Sequence, residues 1–315
     1  MKVLSLFDGM ACGMIAMQLA GVDVESYDAY EIDKYAIKTA QHNFPMIKEH
    51  GDVFNADFTQ YEGVDFLVGG SPCTYWSIAQ TKNRETVASG MGWELFSQYV
   101  RALHEAKPKY FIYENNKSMS KQIRESIDEA FGFEAVLINS ALVSAQNRQR
   151  LYWVGKRNED GTYSKVNVEQ PTDRGILLKD VLDSAVAMPI NATADGKAQC
   201  LRATCYKDGI RNIVGNEVDR RTGVAESRIA EGYEVKDGKI TIKGKQYPIK
   251  LKDGYYIIRK LTVSECKRLQ TVPEWYEFPV SNSQAYKMLG NGWTCEVIAH
   301  LIRAAWGVNN GKEKQ

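Results

Sequence analysis

The chain lacks a charge excess of either sign: 40 Lys and Arg stand against 39 Asp and Glu, a formal +1. That balance excludes a uniformly basic, histone-like binder of nucleic acid, although it leaves room for a local basic face. No run of 18 apolar residues occurs, so no membrane partner is expected. Six cysteines without a Cys-x-x-Cys pair, with only four histidines, do not have the spacing of a structural zinc site; no metal is expected. The opening Met1-Lys2-Val3-Leu4-Ser5-Leu6-Phe7-Asp8 reaches an acid too early for a secretory signal core. Reduced thiols and a cytoplasmic setting are therefore the expectation. What is present, 44% hydrophobic and 25% charged residues over 315 positions, is the composition of a folded globular protein with room for a large domain and a smaller lobe.

The first half alternates short apolar runs with amphipathic stretches. Residues 2–6 read as a buried strand, followed by a glycine-bearing turn and an apolar helix over 14–20. Further strands are expected at 24–30, 64–68 and 110–113, with helices at 35–43 and around Leu95–Leu103 ending near Lys107-Pro108. Segments 134–142 and 150–156 look like a closing pair of strands. This alternation specifies an α/β fold with a doubly wound, mainly parallel sheet. Beyond about residue 158 the periodicity weakens and Gly, Asp, Lys and Thr dominate, with short β-like runs at 239–243 and 255–258. Residues 156–260 hold 20 Lys and Arg against 15 Asp and Glu, a local +5 that leaves −4 for the rest. Helical spacing returns at 261–269 and 291–305. The expected division is 1–157 completed by 283–315, and a second domain over 158–282.

Ligands of an open parallel sheet bind beyond the carboxyl ends of its strands, and the chemistry-bearing residues fall there. Phe7-Asp8-Gly9-Met10-Ala11-Cys12-Gly13 follows the first strand and opens a helix, so its backbone N–H groups lie open to a ligand. Glu31 ends the second strand, where an acid meets ribose hydroxyls, and Asp52 follows the next glycine. No Gly-Lys-Ser/Thr follows the turn, so the pattern points to a nucleoside-bearing cofactor rather than a phosphate cradle. Gly69-Gly70-Ser71-Pro72-Cys73 forces a sharp exit from a strand and presents Cys73 at the sheet edge. A free cysteine is most often a buried, inert small hydrophobe. Here Glu114, at the end of another strand, and the arginines of Gln146-Asn147-Arg148-Gln149-Arg150 converge on the same edge if the strands are neighbours.

In this order the motifs resemble those of the cytosine-C5 DNA methyltransferases, over nearly the whole chain. Phe7 to Ala11 is similar to the family's F-x-G-x-G, Pro72-Cys73 to its nucleophile motif, Glu114-Asn115-Asn116 to E-N-V and Gln146 to Arg150 to Q-x-R-x-R. The block from Arg259 to Pro273 resembles the ninth conserved motif, and Leu289-Gly290-Asn291-Gly292 the terminal G-N block. Ala11 and Cys12 stand where many bacterial members carry glycines, and Asn116 where valine is usual. Phe7-Asp8-Gly9, Gly70-Ser71-Pro72-Cys73 and Trp293 are also similar to the animal de novo branch.

The resemblance implies a Rossmann-like S-adenosylmethionine-dependent catalytic domain with a smaller target-recognition domain. It implies Cys73 as a nucleophile toward cytosine C6, with Glu114 at N3 and the exocyclic amine, Arg150 at O2, and Arg148 supporting pocket and thiolate. For S-adenosylmethionine it implies Phe7 near the adenine, Gly9 at close backbone approach, Glu31 on the ribose, Asp52 on the adenine amine and Asn291 near the methionine end, with Asp8, Ile32, Val53 and Pro72 lining the site. Double-stranded DNA is the implied partner of a monomer, with the cytosine flipped out of the duplex. Residues 74–93, including Ser77, Lys82 and Arg84, are expected as a loop that closes on DNA. Arg202, Thr204, Tyr206, Lys207, Arg211, Arg220 and Arg221 are the expected contacts of the +5 lobe. A tRNA-directed branch of the family and a catalytically silent DNA-binding homologue are the competing readings.

Overall fold

Apolar residues at 3, 4 and 6 and alternating aromatic and β-branched runs give short strands that must be covered on both faces. In the computed structural model, which describes residues 1–78, 84–184, 187–214, 221–228 and 231–307, they form the first of two sheets. Its strands are β1 (Lys2–Leu6), β2 (Ser26–Tyr30), β3 (Lys48–Glu49), β4 (Phe66–Gly69), β5 (Tyr110–Asn116), β6 (Val136–Asn139), β7 (Gln149–Arg157) and β8 (Tyr163–Lys165). The spatial order is β3-β2-β1-β4-β5-β7-β6, with β8 on β7. The pairs from β3 through β5 are parallel, whereas β7 runs antiparallel to β5, β6 and β8. The strand order reverses direction beside β1, which is where an open α/β sheet leaves a crevice at its carboxyl edge.

Helices α1 (Cys12–Leu19), α2 (Lys34–Asn43), α3 (Met91–Ala106) and α4 (Lys121–Phe131) connect these strands. Their ends follow local chemistry: Asp33 and Ser120 accept N–H groups of α2 and α4, and Gly132 closes α4 in the left-handed conformation. On the face of α3 and α4 the core is largely aromatic, with Phe96, Tyr99, Phe111, Tyr113, Phe131 and Trp153 buried in edge-on and tilted contacts. Helix α8 (Cys295–Trp306) packs against α1. This unit comprises Met1–Asn139, Gln149–Pro171 and Trp293–Gln315.

The second unit comprises Ser140–Arg148 and Thr172–Gly292. It holds β9 (Ala187–Ile190), β10 (Gly223–Arg228), β11 (Tyr233–Lys236), β12 (Lys239–Ile242), β13 (Lys245–Pro248) and β14 (Gly254–Arg259), paired antiparallel in the order β13-β12-β11-β14-β10-β9. Alternation buries Ile240 and Ile242 of β12 while Lys239 and Thr241 face solvent. Val235, Ala225, Tyr256 and Ile258 share that core. Helices α5 (Ile210–Val214), α6 (Val263–Leu269) and α7 (Asn282–Asn291) complete the unit. Thr262 and Glu265 form a capping box on α6, and Glu265 also takes two bonds from Arg259.

Two placements differ from the sequence pattern. Residues 140–148 and α7 lie in the second unit, because Gln146 and Asn147 run beside Ala198, and α7 packs on α6 and on the turn Cys205–Lys207. Periodicity over 291–305 is not one helix: α7 ends at Asn291 and α8 starts at Cys295, separated by Gly292, Trp293 and the N-cap Thr294.

Candidate active site

Six strands of the first unit supply its site, at the ends of β1 to β5 and the start of β7. After β1, Phe7 (φ 58°), Gly9 (φ 62°) and Ala11 (φ 59°) turn left-handed, and Phe7 N–H donates to Tyr30 O at 2.8 Å. Two of the three are not glycine, so the turn holds backbone strain of the kind found at ligand sites. After β2, the Glu31 carboxylate accepts from Gly9, Ile32 and Asp33 N–H groups, each at 2.8 Å. It thus ties the ends of β1 and β2 together. Ile32 beside it is 75% exposed, an open apolar surface at the strand end. Asp52 caps the turn Val53–Asn55 by accepting Phe54 N–H, and Val53 is buried.

Asp8 is turned inward. Its Oδ1 accepts from Ser5 Oγ at 2.5 Å and Tyr27 Oη at 2.7 Å, and Oδ2 is buried without a hydrogen-bond partner. Burial pushes its carboxyl up to about 6 despite both hydrogen bonds. Glu49 on β3, with neither carboxyl oxygen bonded, is pushed up to about 8 by burial and by the charges of Asp8 and Glu31.

Beyond β4, Pro72 is exposed and Cys73 half-buried at the start of the turn Cys73–Tyr75. The preceding Ser71 shares a 2.6 Å hydrogen bond with Tyr113 Oη, and Asn115 Nδ2 donates to Ser71 O at 3.2 Å. These buried bonds fix the strand exit that carries the thiol. On β5 and β7, Asn116 lies opposite Arg150 and Glu114 opposite Tyr152. Strand parity therefore sets Glu114 and Arg150 as diagonal neighbours on one face. Arg150 Nε stands 3.0 Å from Glu114 Oε1, and Trp293 Nε1–H donates to Glu114 Oε2 at 3.0 Å. Gly70 makes room for this: a Cβ there would stand 2.8 Å from Glu114 O and 3.0 Å from Glu114 Oε2.

Arg148 is occupied differently, within the second unit. Its Nη1 donates to Leu201 O at 3.1 Å and Cys200 Sγ at 3.4 Å, and its Nη2 to Gly290 O at 3.2 Å and Gly292 O at 2.8 Å. Gln146 likewise accepts Leu201 N–H and donates to Leu269 O. The first arginine of the motif thus braces backbone, while the second faces a carboxylate. Asn291 is exposed at the end of α7.

Of the expected DNA contacts, Ser77 N–H donates to Cys73 O, and Arg84 donates to Trp76 O at 3.2 Å and Ser118 O at 2.6 Å. Glu85 accepts from Trp76 Nε1 and Gly92 N–H, which holds the two ends of the 74–93 segment together. Lys82 lies outside the described residues, as does Arg220 and the side chain of Arg211. Arg202, Thr204, Tyr206 and Lys207 lie on one short segment of the second unit, with Arg202 paired to Asp208 at 3.2 Å and Lys207 Nζ over the Tyr206 ring. Arg221 N–H donates to Asn212 O. Sequence reasoning assigned no role to Trp293, Ser71, Tyr113 or Asn115. Trp293 directly follows the G-N block, and that position was the available signal.

Among the described residues no group of His, Cys, Asp and Glu has metal-binding geometry, and no helix is long and apolar enough to cross a membrane.

The fold agrees with the comparisons. The chain belongs to the C-5 cytosine-specific DNA methylase family, whose model matches residues 1–306. It is 30% identical over 329 residues to the type II methyltransferase M1.ScrFI of Lactococcus lactis subsp. cremoris, covering 96% of this chain and 76% of that one. It is 35% identical over 171 residues to the orphan methyltransferase M.Rho11sI of Bacillus phage rho11s; the match covers 50% of this chain and 33% of the phage protein, so the chain aligns with about a third of that relative's length. The solved structure of the Entamoeba histolytica methyltransferase EhMeth shares the fold, with a TM-score of 0.66 at 14% identity over 97% of both chains.

Proposed function

We propose that this protein transfers a methyl group from S-adenosylmethionine to C5 of a cytosine in double-stranded DNA, through a covalent bond between Cys73 and cytosine C6. The observation that carries the reading is the Glu114 carboxylate, held between Arg150 Nε and Trp293 Nε1 on the carboxyl edge that also presents Cys73.

The residues present fit the cofactor. Gly9 has no atom within 4 Å of where a Cβ would stand, which leaves its backbone open, and Ile32 offers an exposed apolar face next to Glu31. Glu31 would bind the ribose hydroxyls, Asp52 the adenine amine, and Phe7, Val53 and Pro72 would line the adenosine, with Asn291 toward the methionine. When bound, the cofactor supplies an electrophilic methyl group.

The chain's own residues make cytosine reactive enough to accept it. Addition of the Cys73 thiolate to C6 forms the S–C6 bond and moves the ring's π pair to C5, turning a poor carbon nucleophile into an enamine. Glu114 would meet N3 and the exocyclic amine, so that charge arriving from sulfur is balanced by protonation at N3. Arg150 would hold O2. Once C5 is methylated, loss of the C5 proton to a base breaks the S–C6 bond and returns the thiolate, and the N3 proton goes back to Glu114. Arg148 we assign as a positioning residue, through Leu201, Gly290 and Gly292. Flipping the base costs on the order of a few kcal/mol, which DNA contacts from Arg202, Thr204, Tyr206, Lys207 and Arg221 would offset.

The test is trapping. Duplex DNA containing 5-fluorocytosine, incubated with protein and S-adenosylmethionine, should give a denaturant-resistant adduct, because fluorine cannot leave as a proton. Cys73→Ala should abolish it. Binding without an adduct would sink the covalent mechanism, and an adduct on fluorocytosine tRNA but not on DNA would move the substrate to RNA.

A further inference from the structure

Two pairs of cysteines face each other in this protein, one in each unit. In the first, Cys12 on α1 and Cys295 on α8 are buried where the two helices pack, and Cys295 Sγ donates to Trp293 O at 3.9 Å. In the second, Cys205 at the head of the turn Cys205–Lys207 and Cys266 on α6 line one cleft, and Cys205 Sγ donates to Tyr286 O at 4.0 Å. Neither pair has a part in the methyl-transfer reading.

Their surroundings differ in the two properties that govern thiol reactivity, access and charge. Cys205 is half-buried and lines a cleft with Arg202, Lys260 and Tyr286. Lys260 is fixed there, donating to Tyr206 O at 2.8 Å with its ammonium 4.6 Å from the centre of the Tyr286 ring. The neighbouring Cys266, with the charges of Lys260 and Arg202, holds the Cys205 thiol below its ordinary range against burial and the charge of Asp208; its neighbour and burial push Cys266 up. One sulfur is therefore disposed to ionise and the other to keep its proton. Cys12 and Cys295 are both buried, and the partner thiol and burial push Cys295 up.

We propose that Cys205 and Cys266 are a peroxide-responsive thiol pair, with Cys205 the attacking and Cys266 the resolving sulfur. The Cys205 thiolate attacks one oxygen of hydrogen peroxide; the S–O bond forms, the O–O bond breaks and hydroxide leaves. Cys266 then attacks the sulfenic sulfur, forming the S–S bond as the S–O bond breaks; water departs, carrying the oxygen with the thiol proton. Two thiols are oxidised by two electrons, and peroxide is reduced to two waters. The product staples the turn bearing Tyr206 and Lys207 to α6.

The test requires no activity. The full-length protein is treated with a small molar excess of hydrogen peroxide, alkylated, digested without reductant and mapped by mass spectrometry. The expected product is a peptide pair linked through Cys205 and Cys266 and released by dithiothreitol, with Cys12 and Cys295 still reduced. A Cys12–Cys295 link formed equally fast, a Cys205 link to Cys200 or Cys73 instead, or Cys205 carrying only sulfinic or sulfonic acid would overturn the proposal. Cys266→Ser should leave a sulfenic acid on Cys205 that dimedone captures; an unlabelled Cys205 in that variant, shown to be folded by its melting temperature, would overturn it as well.

Discussion

Arg150 Nε and Glu114 Oε1 stand 3.0 Å apart across an antiparallel pair of strands, two residues off direct register. Both side chains are mostly buried, so the pair is held by the pleat of β5 and β7 rather than by a flexible loop. Under the proposed mechanism Glu114→Gln keeps shape and loses the charge that balances N3 protonation. The turnover number should fall about 100-fold or more, with S-adenosylmethionine affinity unchanged in equilibrium binding. A variant that methylates at the native rate would remove Glu114 from the chemistry.

Arg148 should behave in the opposite way. Its guanidinium spans three backbone carbonyls of the second unit, and a lysine ammonium cannot reach that set from one point. Arg148→Lys should lower unfolding free energy by about 2 kcal/mol, the scale of a lost charge-assisted hydrogen bond. Arg150→Lys should cost less stability and more turnover. Urea denaturation and steady-state rates of the two variants, side by side, decide the assignment; equal loss of stability in both would contradict it.

Within the G-N block, position 290 leaves no room for a side chain. A Cβ there would stand 2.3 Å from both Ala203 N and Arg202 C, backbone atoms that cannot step aside. Gly290→Ala should destabilise by about 1–3 kcal/mol, the range for overpacking. If the segment Arg202–Lys207 is the DNA-facing one, affinity for duplex DNA should drop with it. Thermal melts and fluorescence anisotropy would read both, and an unchanged melt would show that the α7 contact gives way.

The catalytic half was legible because its signals are local. A five-residue apolar strand, a glycine turn and a buried helix are written within twenty positions around Phe7-Asp8-Gly9, and the Gly-Gly-Ser-Pro-Cys exit needs no distant partner to be read. The second sheet was legible only in part. The runs 239–243 and 255–258 mark β12 and β14, whereas β9 and β10 carry no such signal and pair far along the chain, Ile190 opposite Gly223 and Val224 opposite Arg259. The two arginines of Gln146 to Arg150 look equivalent in sequence. Only the register of β7 and the carbonyls around Arg148 separate their partners. Cys205 and Cys266, sixty-odd positions apart, carry no spacing signal at all; the Cys205–Lys207 turn and α6 both pack on α7, which sets the two sulfurs on one cleft.

The buried acids Asp8 and Glu49 set a pH dependence whose sign is fixed. In the unfolded chain Asp8 and Glu49 titrate near 3.8 and 4.5; in the folded protein they are pushed up to about 6 and about 8. Between those limits the native state binds more protons than the unfolded state, so stability falls as pH rises. The contribution is complete below pH 4, decays through 6 for Asp8 and through 8 for Glu49, and is flat above that. For Asp8, fully enclosed, the loss is about 3 kcal/mol at about 1.4 kcal/mol per unit. Melting temperature should therefore decline from pH 5 to pH 8.5. The double variant Asp8→Asn with Glu49→Gln should flatten that slope, since the amides carry no charge to bury. If the slope persists in the double variant, the destabilising charge lies elsewhere in the fold.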